Sequence, residues 1–244
     1  MHKSNMKDKR FRGKTGEEFD LAAIAMPNRE ELQNTIGKII KEEFHRNPVD
    51  EIRVLEIGFG TGYTTKIILN SDDRIRIVGV DSEEEMFKQA KENLSKFIEN
   101  KRVEMIKADA LEFLKKQDSD SSDVFASALT LHNFERDCRE KVIKECHRVL
   151  KQGGLFINAD KYALDDEAEH KKTLKWQLQQ FKEKFAQINR PDLIQEWTNH
   201  YLEDEKPETI MQQSESIKSM SKNGFKDVKI VFRKQMEAVL VARK

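Results

Sequence analysis

Cysteine occurs only twice in the 244 residues, at Cys138 and Cys146, eight positions apart in a stretch that reads as a helix. With no CxxC pair and no disulfide framework, a reducing, cytoplasmic setting is expected. Long apolar runs are missing as well, and the first residues lack the apolar centre of a secretion signal. Neither a membrane span nor an export signal is therefore expected. An excess of one charge is also absent, since Lys plus Arg and Asp plus Glu number 44 each. The chain has no global field to draw nucleic acid or an anionic membrane toward it. His, Cys, Asp and Glu nowhere adopt a spacing such as HExxH, so no metal is expected.

What remains is a chain of a length that suits one domain with an elaborated insert. Hydrophobic residues make up 37% and charged residues 36%, which implies a heavily solvated surface around the core. The first fourteen residues carry six Lys or Arg against one Asp, and residues 1–27 read as a flexible basic tail. From Asn28 the pattern is helical, with Leu32, Ile36, Ile39, Ile40 and Phe44 on one face and a capping-box spacing between Asn28 and Glu31. Short apolar runs near 53–57, 75–80, 103–107, 123–128 and 154–159 then alternate with helical stretches near 62–70, 83–98, 110–116 and 135–150. Strand alternating with helix predicts a parallel sheet with helices on both faces.

The alternation breaks at about 163. Residues 163–223 read as a polar helical insert in which Leu174, Leu178, Phe181 and Phe185 form one stripe. Pro207 opens a later helix in this reading, and Asn223-Gly224 stops it. Two strand-like runs, 227–232 and 237–242, close the chain as an antiparallel hairpin. The expected organisation is thus a tail (1–27), an α/β core with an N-terminal helix (28–162), a helical lid over the substrate (163–223) and closing strands (224–244).

The segment with most chemical content is Val54-Leu55-Glu56-Ile57-Gly58-Phe59-Gly60-Thr61-Gly62. Three of the ten glycines of the chain fall here, after an apolar strand and before a helix. Glycine lets the backbone turn sharply and approach a ligand closely, and the N–H groups of a helix start favour an anion. A dinucleotide site wants G-x-G-x-x-G. Here the third glycine comes early, at Gly62, with Tyr63 after it, which argues against NAD. The second strand ends in Asp81. Ser82 and Glu85 have capping-box spacing, and Met86 fits the core stripe of the following helix. After the third strand Asp109 and Glu112 again have capping-box spacing.

The run E-I-G-F-G-T-G resembles the first motif of the class I S-adenosylmethionine-dependent methyltransferases, and the segments up to about 160 agree with that family in order and interval. The resemblance implies a Rossmann-like, seven-stranded, mostly parallel sheet and S-adenosyl-L-methionine as cofactor. It places Gly58, Phe59, Gly60 and Gly62 along the cofactor, Asp81 on the ribose hydroxyls and Ser82 beside the adenosine. It further places Asp109 and Ala110 at the adenine edge and Ala128 and Leu129 along the methionine arm. In the stretch from Val149 to Asp160 the paired glycines Gly153 and Gly154 match the family's late motif, with Gln152 where proline is usual.

S-A-L-T-L-H-N-F and F-I-N-A-D look like the small-molecule branch. The insert is similar in placement to that of the carboxy-S-adenosylmethionine synthases, which need an arginine near its end. This chain has Asn199-His200-Tyr201 there, with Arg190 off the aligned position, so that product is not expected. Transfer of a methyl group to a small molecule is the leading expectation. A tRNA or rRNA substrate met through the basic tail, a carboxy-S-adenosylmethionine synthase-like enzyme, and a cofactor-binding module without turnover are the alternatives. Should the acceptor need a general base, the candidates are His132, then Asp160 and Tyr162 at strand ends, with His200 and Tyr201 reaching in from the insert.

Overall fold

A computed structural model of the chain describes residues 18–244. Seven strands form one sheet: β1 (Ile52–Ile57), β2 (Ile75–Asp81), β3 (Val103–Lys107), β4 (Ser122–Ala128), β5 (Leu150–Lys161), β6 (Lys226–Lys234) and β7 (Glu237–Arg243). Their order is β3-β2-β1-β4-β5-β7-β6. The first five strands are parallel, while β7 runs antiparallel to both β5 and β6. The apolar runs of the sequence thus become the expected sheet. The chain departs from β1 in one direction toward β2 and β3, and β4 lies on the other side of β1. At such a reversal of strand order, the carboxyl ends of neighbouring strands leave a crevice.

Helices cover both faces. On one side α1 (Arg29–Arg46) buries Leu32, Ile36, Ile40 and Phe44, the stripe read from the sequence. It lies against α2 (Tyr63–Ser71), close enough that a Cβ on Gly37 would stand 3.0 Å from Ile67. The segment expected as one helix over 83–98 is two, α3 (Glu84–Asn93) and α4 (Ser95–Glu99), separated at Leu94. α5 (Ala110–Leu114) and α6 (Arg136–Val149) complete the alternating part. Cys138 and Cys146 are free and buried in α6.

Beyond β5 come α7 (Glu167–Gln187), α8 (Asp192–Glu203) and α9 (Gln213–Lys222). Three boundaries differ from the sequence reading. The expected tail ends too late, because Phe19–Ala25 form a 3-10 helix whose Ala22 and Ala25 pack with Phe181, Phe185, Leu193 and Trp197 of α7 and α8. These small and aromatic side chains give the segment a place to bury surface. The more basic stretch, 1–17, lies outside the described residues. The insert also ends earlier than expected: Met220 of α9 belongs to the main core, so this helix covers the sheet instead of the site. The excursion is closed where Ala163 bridges Gln212, with Ala163 N–H donating to the Met211 carbonyl at 2.7 Å. Finally, Pro207 starts no helix; Pro191 precedes α8, and α9 begins only at Gln213. Its stop is as expected, with Gly224 at φ 96°.

Arg139 ties this excursion to the core. Almost fully buried, it donates to the carbonyls of Thr209 (2.8 Å), Ile210 (3.2 Å), Phe134 (3.3 Å) and Leu131 (3.4 Å). Burial lowers the guanidinium to about 10, and Asp160 and Tyr162 favour its charged form. Arg139→Met leaves those carbonyls without their donor. It should cost about 3 kcal/mol, measured as a lower midpoint of urea unfolding.

Candidate active site

The carboxyl ends of β1, β2 and β4 meet around a cavity of about 900 Å³, open mouth included. β1 supplies Gly58, Phe59 and Gly60, β2 supplies Val80 and Asp81, and β4 supplies Ala128, Leu129 and Thr130. The glycine loop is shaped by its neighbours. At Gly58 (φ 72°) a Cβ would lie 2.1 Å from the Thr130 hydroxyl, so only glycine fits beneath Thr130. At Gly60 (φ 54°) a Cβ would meet nothing within 4 Å and would project into the free space. Gly62 is different. Its Cβ would strike Leu94 at 2.9 Å, it is not among the lining residues, and its role is the close approach of α2 to α3.

Asp81 ends β2 in the cavity wall. One carboxylate oxygen accepts from the N–H of Gly60 and the other from that of Glu83, each at 2.9 Å. A carboxylate has about four acceptor sites, so it can also serve vicinal hydroxyls. Burial raises its pKa, opposed by the N–H groups of Glu83, Gly60 and Ser82. Ser82 lines the cavity but caps nothing. The helix cap is Glu83, and the Ser82 hydroxyl donates to that carboxylate at 3.5 Å. Asn28 likewise makes no side-chain cap on α1; its amide donates to Glu237 instead.

Met86 is buried, as its place in the helix stripe predicts, and is at the same time a wall of the cavity. Asp109 caps α5, accepting from the Glu112 N–H at 3.0 Å, while Ala108 and Ala110 on either side of it line the cavity. Several lining residues carried no sequence signal. Arg29, buried, has its guanidinium carbon 5.1 Å from the Phe19 ring and 5.7 Å from the Tyr63 ring. Gln33 donates to the Thr64 hydroxyl at 2.8 Å. All five lie at the end of the cavity formed by α1 and α2, and only the folded chain brings them there.

These residues fit S-adenosylmethionine. An apolar slot (Phe59, Val80, Met86, Ala108, Ala110) suits an adenine, Asp81 suits a ribose diol, and the open space over Gly60 admits a close-lying chain. Arg29 faces the opposite end, where a carboxylate group would find a cation.

A second cavity, of about 580 Å³, adjoins the first, sharing Phe19, Arg29 and Leu129 with it. Its other walls include His132 and Lys161 from the strand ends and His200, Tyr201 and Asp204 from α8. Asp160 is fully buried and stands 2.5 Å from His132 Nδ1. Of the other base candidates, Tyr162 is turned away: its hydroxyl accepts from Asn158 at 2.7 Å, and burial pushes its pKa up. Arg190 pairs with Glu18 and Asp192 and lines neither cavity. Sequence spacing revealed no metal-ligand set, but the fold gathers one. His132, His200 and Asp204 place their ligand atoms within 4.8 Å of one another.

The comparisons with known proteins agree with this geometry. Residues 54–154 match the family model of a methyltransferase domain. The chain is 26% identical over 195 residues to a carboxy-S-adenosyl-L-methionine synthase of Nautilia profundicola, an alignment covering 80% of this chain and 78% of that protein. It is 34% identical over 118 residues to a demethylmenaquinone methyltransferase of Leptospira interrogans, covering 48% of this chain and 46% of the relative. Among solved structures, an O-methyltransferase family protein from Burkholderia thailandensis superposes with a TM-score of 0.65 at 13% identity, over 98% of this chain and 62% of that one. Residues 54–154 thus carry the likeness to a methyltransferase domain, and the whole chain shares the fold of the O-methyltransferase family protein. The lining of the first cavity fits S-adenosylmethionine as the methyl donor of such a domain.

Beneath the glycine loop lies Glu56, fully buried beside Thr65 and Asp81, and burial raises its carboxyl from 4.5 to about 7. The folded state favours the protonated acid, so its contribution is full below the ordinary pKa and is lost as pH rises through about 7. Relative to Glu56→Gln, the wild type should therefore lose about 2 kcal/mol of stability between about pH 5 and pH 8. Urea unfolding of both proteins at the two pH values measures this, and parallel pH profiles would contradict it.

Proposed function

We propose that the protein transfers a methyl group from S-adenosylmethionine to a small-molecule acceptor held in the second cavity, beneath α8. The observation that carries this reading is the pair of confluent cavities. One is built for an adenosyl group at the strand reversal, and the other is roofed by the insert and meets the first at Leu129. A sulfonium-bound methyl group is already activated, so the cofactor supplies the difficult chemistry and the protein supplies placement.

In this reading Asp81 holds the ribose hydroxyls, with Ser82 alongside. Phe59, Met86 and Ala110 enclose the adenine, and Asp109 serves its amino group through the carboxylate that also caps α5. The backbone from Gly58 to Gly60 lies along the cofactor, while Gly62 acts by packing. Ala128 and Leu129 border the methionine arm, and Arg29 holds its carboxylate end. His132, fixed by Asp160, is the group placed to engage the acceptor. The α8 roof and the 3-10 helix at Phe19 exclude water from the junction.

The small size of the second cavity, about 580 Å³ with its open mouth included, favours a small molecule over a nucleic acid strand, and the two buried cysteines accord with a cytoplasmic setting. Similarity to carboxy-S-adenosylmethionine synthases extends over the insert, but Arg190 is engaged elsewhere, so methyl transfer is the preferred reading.

At a hundredfold excess over its dissociation constant, S-adenosylmethionine should add about 2.7 kcal/mol to folding stability. Asp81→Ala should lose most of that gain, measured against its own ligand-free melt, which the loss of the acceptors for Gly60 and Glu83 lowers. The test is a thermal melt of each protein with S-adenosylmethionine and with NAD. A shift with NAD alone would overturn the assignment. Tight RNA binding with a steep salt dependence would replace the small-molecule acceptor.

A further inference from the structure

His200 and Asp204 stand one helical turn apart on α8, so their side chains share a face. His132 opposes them from the 3-10 turn Leu131–Asn133 that follows β4. Its Nδ1 stands 2.5 Å from the fully buried Asp160 carboxylate. With Nδ1 donating there, the lone pair of Nε2 is directed away from Asp160. That Nε2 is 3.7 Å from Asp204 Oδ2. A histidine with one ring nitrogen fixed by a carboxylate and the other turned toward further ligands is the usual arrangement at a metal.

We propose that His132, His200 and Asp204 bind one divalent first-row transition-metal ion, to which the acceptor docks through an oxyanion or a pair of neighbouring oxygen atoms. Two imidazoles with one carboxylate select an ion such as Zn²⁺, Fe²⁺ or Co²⁺ over Mg²⁺ or Ca²⁺, which prefer oxygen alone. Three protein ligands leave positions open for an exogenous one.

Lys161 is the cation that competes for this place, since its Nζ is 3.5 Å from Asp204 Oδ2. Its nearer polar partner is Glu205 at 2.7 Å, and it also lies 3.7 Å from the centre of the Tyr201 ring. The lysine thus lies closer to Glu205 than to Asp204. A histidine held between two carboxylates would account for His132, Asp160 and Asp204, with the His200 ring packed against Trp197 at 5.2 Å between centroids; the ion accounts in addition for the convergence of all three ligand atoms within 4.8 Å.

The acceptor's place beside the methyl donor rests on the proposed methyl transfer; the binding of the ion does not. The experiment uses the full chain, stripped with a chelator and titrated with Co²⁺ under visible absorption and with Zn²⁺ by calorimetry. One ion per chain is expected. His200→Ala and Asp204→Asn should each weaken binding roughly tenfold or more. His200 is partly exposed, so its variant should keep the wild-type melting curve and the thermal shift with S-adenosylmethionine. Asp81→Ala should lose that shift and still take up Co²⁺, which separates failure of the ion site from failure of the cofactor site. Absence of stoichiometric uptake by the stripped wild type, or unchanged Co²⁺ affinity in a folded His200→Ala variant, would overturn the proposal.

Discussion

Between the ends of β1 and β4 there is no room for a side chain at Gly58, because Thr130 occupies that space. The Thr130 hydroxyl donates to the carbonyl of Ala128 at 2.9 Å and lies 3.4 Å from that of Gly58. Two loops from strands far apart in sequence are thus held against each other at the reversal of strand order. The next residue back, Leu129, takes a left-handed conformation at φ 51°, unusual for a branched-chain residue and costly unless its surroundings enforce it. Its N–H donates to Ala159 at 2.8 Å, so β5 enforces it. Backbone strain at this point sits where the two cavities join.

The second cavity depends on a polar network that a core would normally avoid. Asp160, Lys161, Asp204 and Glu205 are all drawn in from water, with His132 and His170 among them. Buried charges cost several kcal/mol each unless paired and hydrogen-bonded. Here the pairing crosses the junction between sheet and insert: β5 gives Asp160 and Lys161, and the two residues after α8 give Asp204 and Glu205. The aromatic packing of α7, α8 and the 3-10 helix supplies the apolar burial, and the network sets the register in which α8 meets the strand ends.

How far the sequence was readable follows from the range of each interaction. Strand runs and helix stripes repeat within a few residues, so the sheet and the faces of α1 and α6 were legible. The glycine loop was legible because a strand, a turn and a helix start are contiguous. Roles that depend on a remote partner were not. Nothing local separates Gly60, which faces free space, from Gly62, which faces Leu94. Met86 has the spacing of a core residue, and only the neighbouring strand ends turn it into a cavity wall. Ser82 has the spacing of a cap, but Asp81 takes the Glu83 N–H and the helix starts one residue later. The tail boundary failed for a similar reason, since Ala22 and Ala25 are weakly apolar and become core only once Phe181 and Trp197 cover them.

The same logic bears on what an insert contributes to this fold. Strand ends alone provide a site for the donor, with its glycine loop and acidic residue. In the proposed reading they provide only part of an acceptor site: His132 and Lys161 line a volume that His200, Tyr201 and Asp204 complete from α8 and its end. Recognition of the donor therefore resides in the contiguous α/β segment, and recognition of the acceptor resides in the pairing of that segment with the insert. A change within α8 can alter what is accepted while the donor cavity keeps its shape, because the two share walls only at Phe19, Arg29 and Leu129.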